Sequence, residues 1–412
     1  MRILFLSSLY STPRAPKQGI PNARILHAMR AHADIRVLAP LPWYPRSLAR
    51  RVPALRDLAE LPEREPDDDG SPVRHPRWLH VPRAGVLQAG LYAASLWAPV
   101  REDVVRFRPD VLLSAWAYPD GTAATALGKL LGLPTVVRVM GSDINDYCQR
   151  PGRRWQIAWA MRSADRVIAV SRALGRSVEE LGVDSAQIAV IPTGVDTASF
   201  HPVDRDQARA ALGLPAGPLI LVPSRLSREK GVHGFLDAFA ALGQEVRAVI
   251  CGDGGEAAAL RAQAKRLGVA ARVTFAGFQP AAHMQQHYAA ADLVCLPSLE
   301  EGWPNVLMES FACGCPVVAS EVGGAPEILA LTGAGAMAPP GDARALAQAL
   351  QQALARNWDR AATAAAMQTH SIARTAQRYL EVCERALRVS QERLAYAPST
   401  GRHPLHGSGT GG

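Results

Sequence analysis

Short apolar runs alternate with amphipathic stretches over most of the chain. In the first half the largely apolar runs at 3–6, 35–39, 111–113, 135–139 and 167–170 predict strands buried on both faces. Between them, 22–33, 97–107, 122–131, 155–163 and 173–180 carry helical patterns. The alternation lapses over 42–80, where Pro, Arg and acidic residues dominate, and an exposed excursion is expected there. It resumes after Phe200-His-Pro202, with strands expected at 219–223, 248–251, 273–276, 293–296 and 316–319. Helices at 232–242, 256–267, 283–290 and 305–313 alternate with these strands. An Ala/Arg-rich helical region at about 343–394 closes the fold, and the Gly/Ser/Pro/His tail 397–412 reads as disordered.

This pattern predicts an α/β protein with two doubly wound Rossmann-like domains. The first covers 1–200, joined by the C-terminal helix at about 371–394, and the second covers 201–370. Two such sheets facing each other leave a cleft at their carboxyl ends, where ligands bind. Dehydrogenases, epimerases and glycosyltransferases all fit this plan, so residues must choose among them.

Composition narrows the setting. Of 412 residues 48% are apolar, enough for two cores, yet no stretch is long and uncharged enough to span a membrane. The apolar start is followed at once by Arg14 and Lys17, which reads as a first buried strand of a cytoplasmic protein. The six cysteines form no C-x-x-C pair and no zinc spacing, and are expected buried and reduced. The net charge of +8 is lopsided: residues 1–200 hold 26 Lys/Arg against 19 Asp/Glu, and residues 201–412 hold 19 against 18. A basic first half suits a phosphate-rich surface or an anionic membrane, although arginine-favouring codon usage gives the same excess.

The densest chemistry lies in Pro297-Ser-Leu-Glu-Glu-Gly-Trp-Pro-Asn-Val-Leu-Met-Glu309. A strand ends in a loop and a helix starts near Pro304, a residue suited to a first turn. Free amides around Asn305 and Val306 would suit a pyrophosphate. Glu301 precedes the helix and Glu309 lies roughly 7–8 Å up its axis, so one carboxylate can meet sugar hydroxyls and the other a ribose. Arg225 and Lys230 follow the strand at 219–223, where two cations would offset the charge of a leaving diphosphate.

Glu301-x7-Glu309, with Gly302-Trp303-Pro304 between and Ala312-x-Gly314-x-Pro316 after, resembles the donor motif of family 4 glycosyltransferases. Ser224-Arg-Leu-Ser-Arg-Glu-Lys-Gly231, Ile191-Pro-Thr-Gly-Val-Asp196, Gly323-Gly-Ala-Pro-Glu-Ile328 and Pro340-Gly-Asp342 follow the same family's order. The resemblance implies a GT-B fold and a retaining transfer from a nucleotide-diphosphate sugar, with no metal or other cofactor. It casts Glu301, Arg225 and Lys230 as catalytic, and Gly19, Gly302, Trp303, Pro304, Asn305, Val306 and Glu309 as donor-binding.

Trp116-Ala-Tyr-Pro-Asp-Gly121 and Gly141-Ser-Asp-Ile-Asn145 resemble the teichuronic-acid and exopolysaccharide type of the family. That places Asp120, Gly141, Ser142 and Asp143 on the acceptor side and implies a lipid-linked acceptor. The chain departs from the family pattern at Met140, where Arg or His is expected, and at Thr193, where Asn is commoner. Asp67-Asp-Asp69 and Asp204-Arg-Asp206 have the letters of a metal-binding Asp-x-Asp but lie in polar connectors, so no metal site is expected. Gly252-Asp-Gly-Gly255 breaks the dinucleotide pattern at Ala257 and reads as a tight turn.

Basic aromatic segments at 43–51 and 150–162 support two readings, tryptophans packed on the sheet or a face lying on the anionic inner leaflet of the plasma membrane. No nucleic-acid-binding motif is present, and none is expected among its partners. The function implied is sugar transfer onto a growing surface glycan, with a nucleotide-sugar epimerase as the alternative.

Overall fold

A computed structural model describes residues 1–11, 19–44, 61–67, 69–81, 84–150 and 152–396. The first lobe is built on an eight-stranded sheet, ordered β10 (Ile188–Val190), β9 (Arg166–Ala169), β8 (Thr135–Val139), β7 (Val111–Ala115), β1 (Arg2–Leu6), β2 (Asp34–Leu38), β5 (Pro72–Arg74) and β4 (Arg64–Pro66). All neighbours are parallel except β4 and β5. The second lobe has a six-stranded parallel sheet, ordered β13 (Val273–Gly277), β12 (Arg247–Cys251), β11 (Leu219–Pro223), β14 (Leu293–Leu296), β15 (Val317–Ser320) and β16 (Gly335–Ala338). Helices cover both sheets, so the central strands are buried throughout, as their apolar runs require.

Three expectations need correction. In its described residues the stretch 42–80 is not an exposed excursion: β4 and β5 extend the sheet, and β3 (Leu41–Trp43) pairs with β6 (Arg77–Leu79). Val73, His75, Pro76 and Trp78 are buried there, with the less buried Arg74 and Arg77 between them, which leaves no apolar run to detect. Residues 45–60 of that stretch lie outside the described residues. The helix expected at 97–107 begins at Gln88 and passes through Pro99. The long helical region at 343–394 divides into Ala343–Ala355, Arg360–Met367 and Ile372–Tyr396. Asp359 caps the middle piece by accepting from Ala362 N at 2.8 Å. The tail 397–412 is outside the described residues.

The last helix returns to the first lobe. Its Tyr379, Cys383 and Ala386 are buried in one cluster with Ile3, Phe5 and Leu26. The two crossing segments bond to each other, Val195 N to His370 O at 3.0 Å and Ile372 N to Val195 O at 2.8 Å. The six cysteines are free thiols and buried.

At the cleft the lobes touch through backbone. A Cβ on Gly302 would stand 2.0 Å from Met140 O, and one on Gly141 would stand 2.7 Å from Gly302 Cα. Trp303 is buried beside this contact and donates from Nε1 to Thr193 O at 3.1 Å. Gly141 also sits at φ 135, a conformation that side-chain-bearing residues rarely adopt. Gly141→Ala is therefore expected to lower stability by about 1–3 kcal/mol, seen as a lower urea midpoint. Gly90→Ala, in a helix with open space around it, should instead be neutral or stabilising by up to about 1 kcal/mol. Equal effects of the two would contradict the contact.

Candidate functional site

The carboxyl ends of β11 and β14 bring two loops of the second lobe together. Gly231, at φ 64, lies so close to the other loop that a Cβ would meet Pro297 O at 1.9 Å. This approach sets Lys230 against Glu301, with Nζ 2.7 Å from Oε1. Ser298 Oγ donates to the same oxygen at 2.7 Å. Arg225 is a different case: its side chain is 75% exposed and 3.5 Å from Glu229, so it is free to reorient.

The helix Asn305–Ala312 starts at Pro304 with no side-chain cap, which leaves its first amides available to an anion. Val306 sits in that first turn with Asn305. Gly324 N donates to Gly302 O at 2.9 Å and Gly323 backs onto Glu301 O, so the loop before the helix is held by backbone.

Glu309 sits one turn into the helix and faces the first lobe. Arg24 Nη1 is 3.1 Å from its Oε1, and Tyr288 Oη donates to its Oε2 at 2.9 Å. Burial pushes the carboxyl above its usual range, while Arg24 and Tyr288 pull it back. Neither Arg24 nor Tyr288 was marked by the sequence, because no motif contains them and Arg24 meets Glu309 across 285 positions.

On the first lobe the expected residues divide. Gly19 is at φ 62 and its missing Cβ makes room for the Leu9 carbonyl carbon, 2.2 Å from where it would stand. Packing within the lobe thus accounts for this glycine without a phosphate. Asp120 and Asp143, expected on the acceptor side, are engaged with groups of their own lobe. Both are fully buried. Asp120 accepts from Ser8 N at 2.7 Å, Ser8 Oγ at 2.8 Å and Tyr92 Oη, which ties down the turn after β1. Burial raises its carboxyl to about 6 in spite of these bonds. Asp143 accepts from Met140 N, Gly141 N and Ala117 N at 2.8–3.0 Å and fixes the turn that meets Gly302. Ser142 is exposed beside it.

The Asp-x-Asp letters have structural roles in the described residues. Asp67 is buried and receives Tyr10 Oη at 2.8 Å and Arg30 at 2.7 Å, and Asp69 receives Arg30 at 2.7 Å. Asp204 caps a helix by accepting from Gln207 N at 2.8 Å.

A groove of about 890 Å³ separates the lobes, with Tyr10, Ser11 and Arg24 on one wall and Phe278 and Pro280 on the other. At the outer face of the first lobe, Trp155 is 62% exposed and Leu87 67% exposed, with Trp159 and Val86 also at the surface. Gln156 Nε2 donates to Val86 O at 2.6 Å, which joins the two segments. On the helix Arg153–Ser163, Trp155 is thus mostly exposed and Trp159 partly so. Among the described residues no helix is long and apolar enough to cross a membrane.

Known families match both lobes: Glycosyltransferase Family 4 over residues 47–199 and Glycosyl transferases group 1 over 204–370. A Bacillus subtilis (strain 168) protein named as a teichuronic acid biosynthesis glycosyltransferase is 29% identical over 335 residues, 79% of this chain and 82% of its own. Sucrose-phosphate synthase from Thermosynechococcus elongatus superposes with a TM-score of 0.71 at 20% identity, over 96% of this chain and 99% of that one. Anabaena Alr3699/HepE in complex with UDP gives 0.64 at 24% identity, over 96% and 98%. At such identities these two structures speak to the fold alone. A nucleotide-sugar epimerase does not fit these matches. The chain belongs to the family 4 glycosyltransferases, retaining enzymes of GT-B architecture that use nucleotide-sugar donors.

Proposed function

We propose that this glycosyltransferase moves a hexose-type sugar, without a metal, from a nucleotide-diphosphate sugar to a lipid-linked acceptor of a cell-surface glycan. The observation that carries the donor half is the Lys230–Glu301 pair, 2.7 Å apart at the carboxyl ends of two strands and beside an uncapped helix start. Lys230, the amides of Asn305 and Val306, and a reoriented Arg225 would stabilise the departing diphosphate. Glu301 would accept sugar hydroxyl hydrogen bonds, and Glu309 those of the ribose. Gly302, Trp303 and Pro304 shape the loop between them. The acceptor oxygen bonds to the anomeric carbon as the carbon–phosphate-oxygen bond breaks on the same face, and the acceptor's proton passes to the leaving phosphate oxygen. This route needs no protein nucleophile at the anomeric carbon.

The Bacillus relative's name supports the glycan class, and the nucleoside diphosphate follows from the family's nucleotide-sugar donors. The acceptor reading also draws on the exposed Trp155, Trp159 and Leu87 with Arg150 and Arg154 nearby. Aromatic and basic groups on one face suit an anionic inner leaflet, with each surface cation contributing about 1 kcal/mol. The protein would then work in the cytoplasm, peripherally at the membrane.

Lys230→Ala or Arg225→Ala should slow transfer roughly ten- to a thousandfold; unchanged kinetics in both would remove the diphosphate assignment. Glu301→Gln should reduce transfer more than it weakens nucleoside-diphosphate binding by calorimetry. Transfer should persist in EDTA, and a complete loss that magnesium or manganese restores would show a metal requirement. Sedimentation with anionic vesicles should fall as salt rises and should drop in the Trp155→Ser, Arg154→Gln variant with its circular dichroism intact. Equal, negligible pelleting under all conditions would favour a soluble acceptor.

A further inference from the structure

Glu309 belongs to the second lobe, but its principal cationic partner does not. Arg24 lies on the helix Ile20–Arg30 of the first lobe, and its guanidinium spans the gap to Glu309 while resting over the Phe200 ring at 5.5 Å. Tyr288 supplies the other fixed bond, from the helix Ala281–Ala290. An ionised carboxylate has about four acceptor positions, so with Oε1 on Arg24 and Oε2 on Tyr288 each oxygen keeps one for a further hydroxyl. A vicinal diol presents two hydroxyls at that spacing.

We propose that Arg24 is a positioning residue for donor recognition, holding the Glu309 carboxylate in place for the ribose diol from across the cleft. Ribose recognition then depends on both lobes, although the diphosphate and sugar contacts belong to the second. This inference rests on the reading of Glu309 as the ribose acceptor. Arg24 does not touch the donor; it acts through Glu309.

The groups facing Glu309 are Arg24, Tyr288 and Asp196, with Cys313 just past the end of its own helix. Burial is the largest influence and raises its carboxyl, Asp196 adds to that, and Arg24 and Tyr288 oppose them. Without Arg24 the proton is held to higher pH. A protonated carboxyl loses part of its acceptor capacity, so donor binding weakens as pH falls.

The test compares Arg24→Gln, Arg24→Lys and Glu309→Gln in transfer kinetics from about pH 8 to about pH 5.5, with calorimetry of UDP, GDP and ADP. Arg24→Gln should raise donor KM about ten- to a hundredfold, with the excess growing as pH falls, while kcat at saturating donor stays within about twofold. Arg24→Lys should recover part of the loss. Glu309→Gln should weaken nucleotide binding without that pH dependence. If Glu309→Gln weakens nucleotide binding but Arg24→Gln changes KM equally at every pH, or alters acceptor KM and stability alone, Arg24 merely joins the lobes and the inference fails. If Glu309→Gln leaves all three nucleotides unaffected, the ribose reading itself fails and the inference falls with it. Should Arg24→Gln not fold, the pH slope of Arg24→Lys against the wild type decides in the same way.

Discussion

Gly302 lies against Met140 and Gly141 with no space for a side chain on either glycine. That backbone-to-backbone contact is what places the Glu301–Trp303 loop of one lobe at the edge of the other. A glycosyltransferase must hold donor and acceptor within bonding distance while keeping them on separate supports, since misplacement by even an ångström is costly in rate. Two glycines allow the approach, and neighbouring groups fix its register. Trp303 bonds to the Thr193 carbonyl, and Asp143 clamps the turn that carries Gly141. A core of buried side chains runs through both lobes beside this contact, from Val137 and Met161 to Leu221 and Phe311. The cleft therefore has a shared floor.

The polar groups above that floor are paired carboxylate with cation. Lys230 holds Glu301, and Arg24 holds Glu309. A half-buried carboxylate left alone would take up a proton or disrupt its surroundings. Each pair sets a cation against a largely buried carboxylate, where charge-assisted hydrogen bonds are strong. The two pairs differ in reach, since the first lies within one lobe and the second spans two. If the donor binds as proposed, its site in the second lobe senses the position of the first through Arg24.

The central strands were legible in the sequence because β1, β7, β11, β12 and β14 are apolar at all but one position or throughout, and that requires burial on both faces. The region 61–80 was not, because its buried residues, such as Val73 and Trp78, are scattered over very short strands. β16, with the sequence Gly-Ala-Met-Ala, has almost no strand propensity and exists because β15 offers it an edge. Among the site residues, Glu301 and Lys230 were legible through local motifs and lie side by side. Asp120 and Asp143 also sit in motifs, but their burial and the three backbone or hydroxyl bonds each accepts could not be read from those motifs. Arg24 and Tyr288 could not be found from local sequence, since their importance arises only where distant segments converge on Glu309.

The most direct test of the account is amide hydrogen exchange of the full chain with and without UDP, GDP and ADP. At least one of the three should slow exchange across 224–231 and 301–309, the loop and helix start that flank the Lys230–Glu301 pair. Protection confined to the first lobe, or none with any of the three, would contradict a donor site in the second lobe.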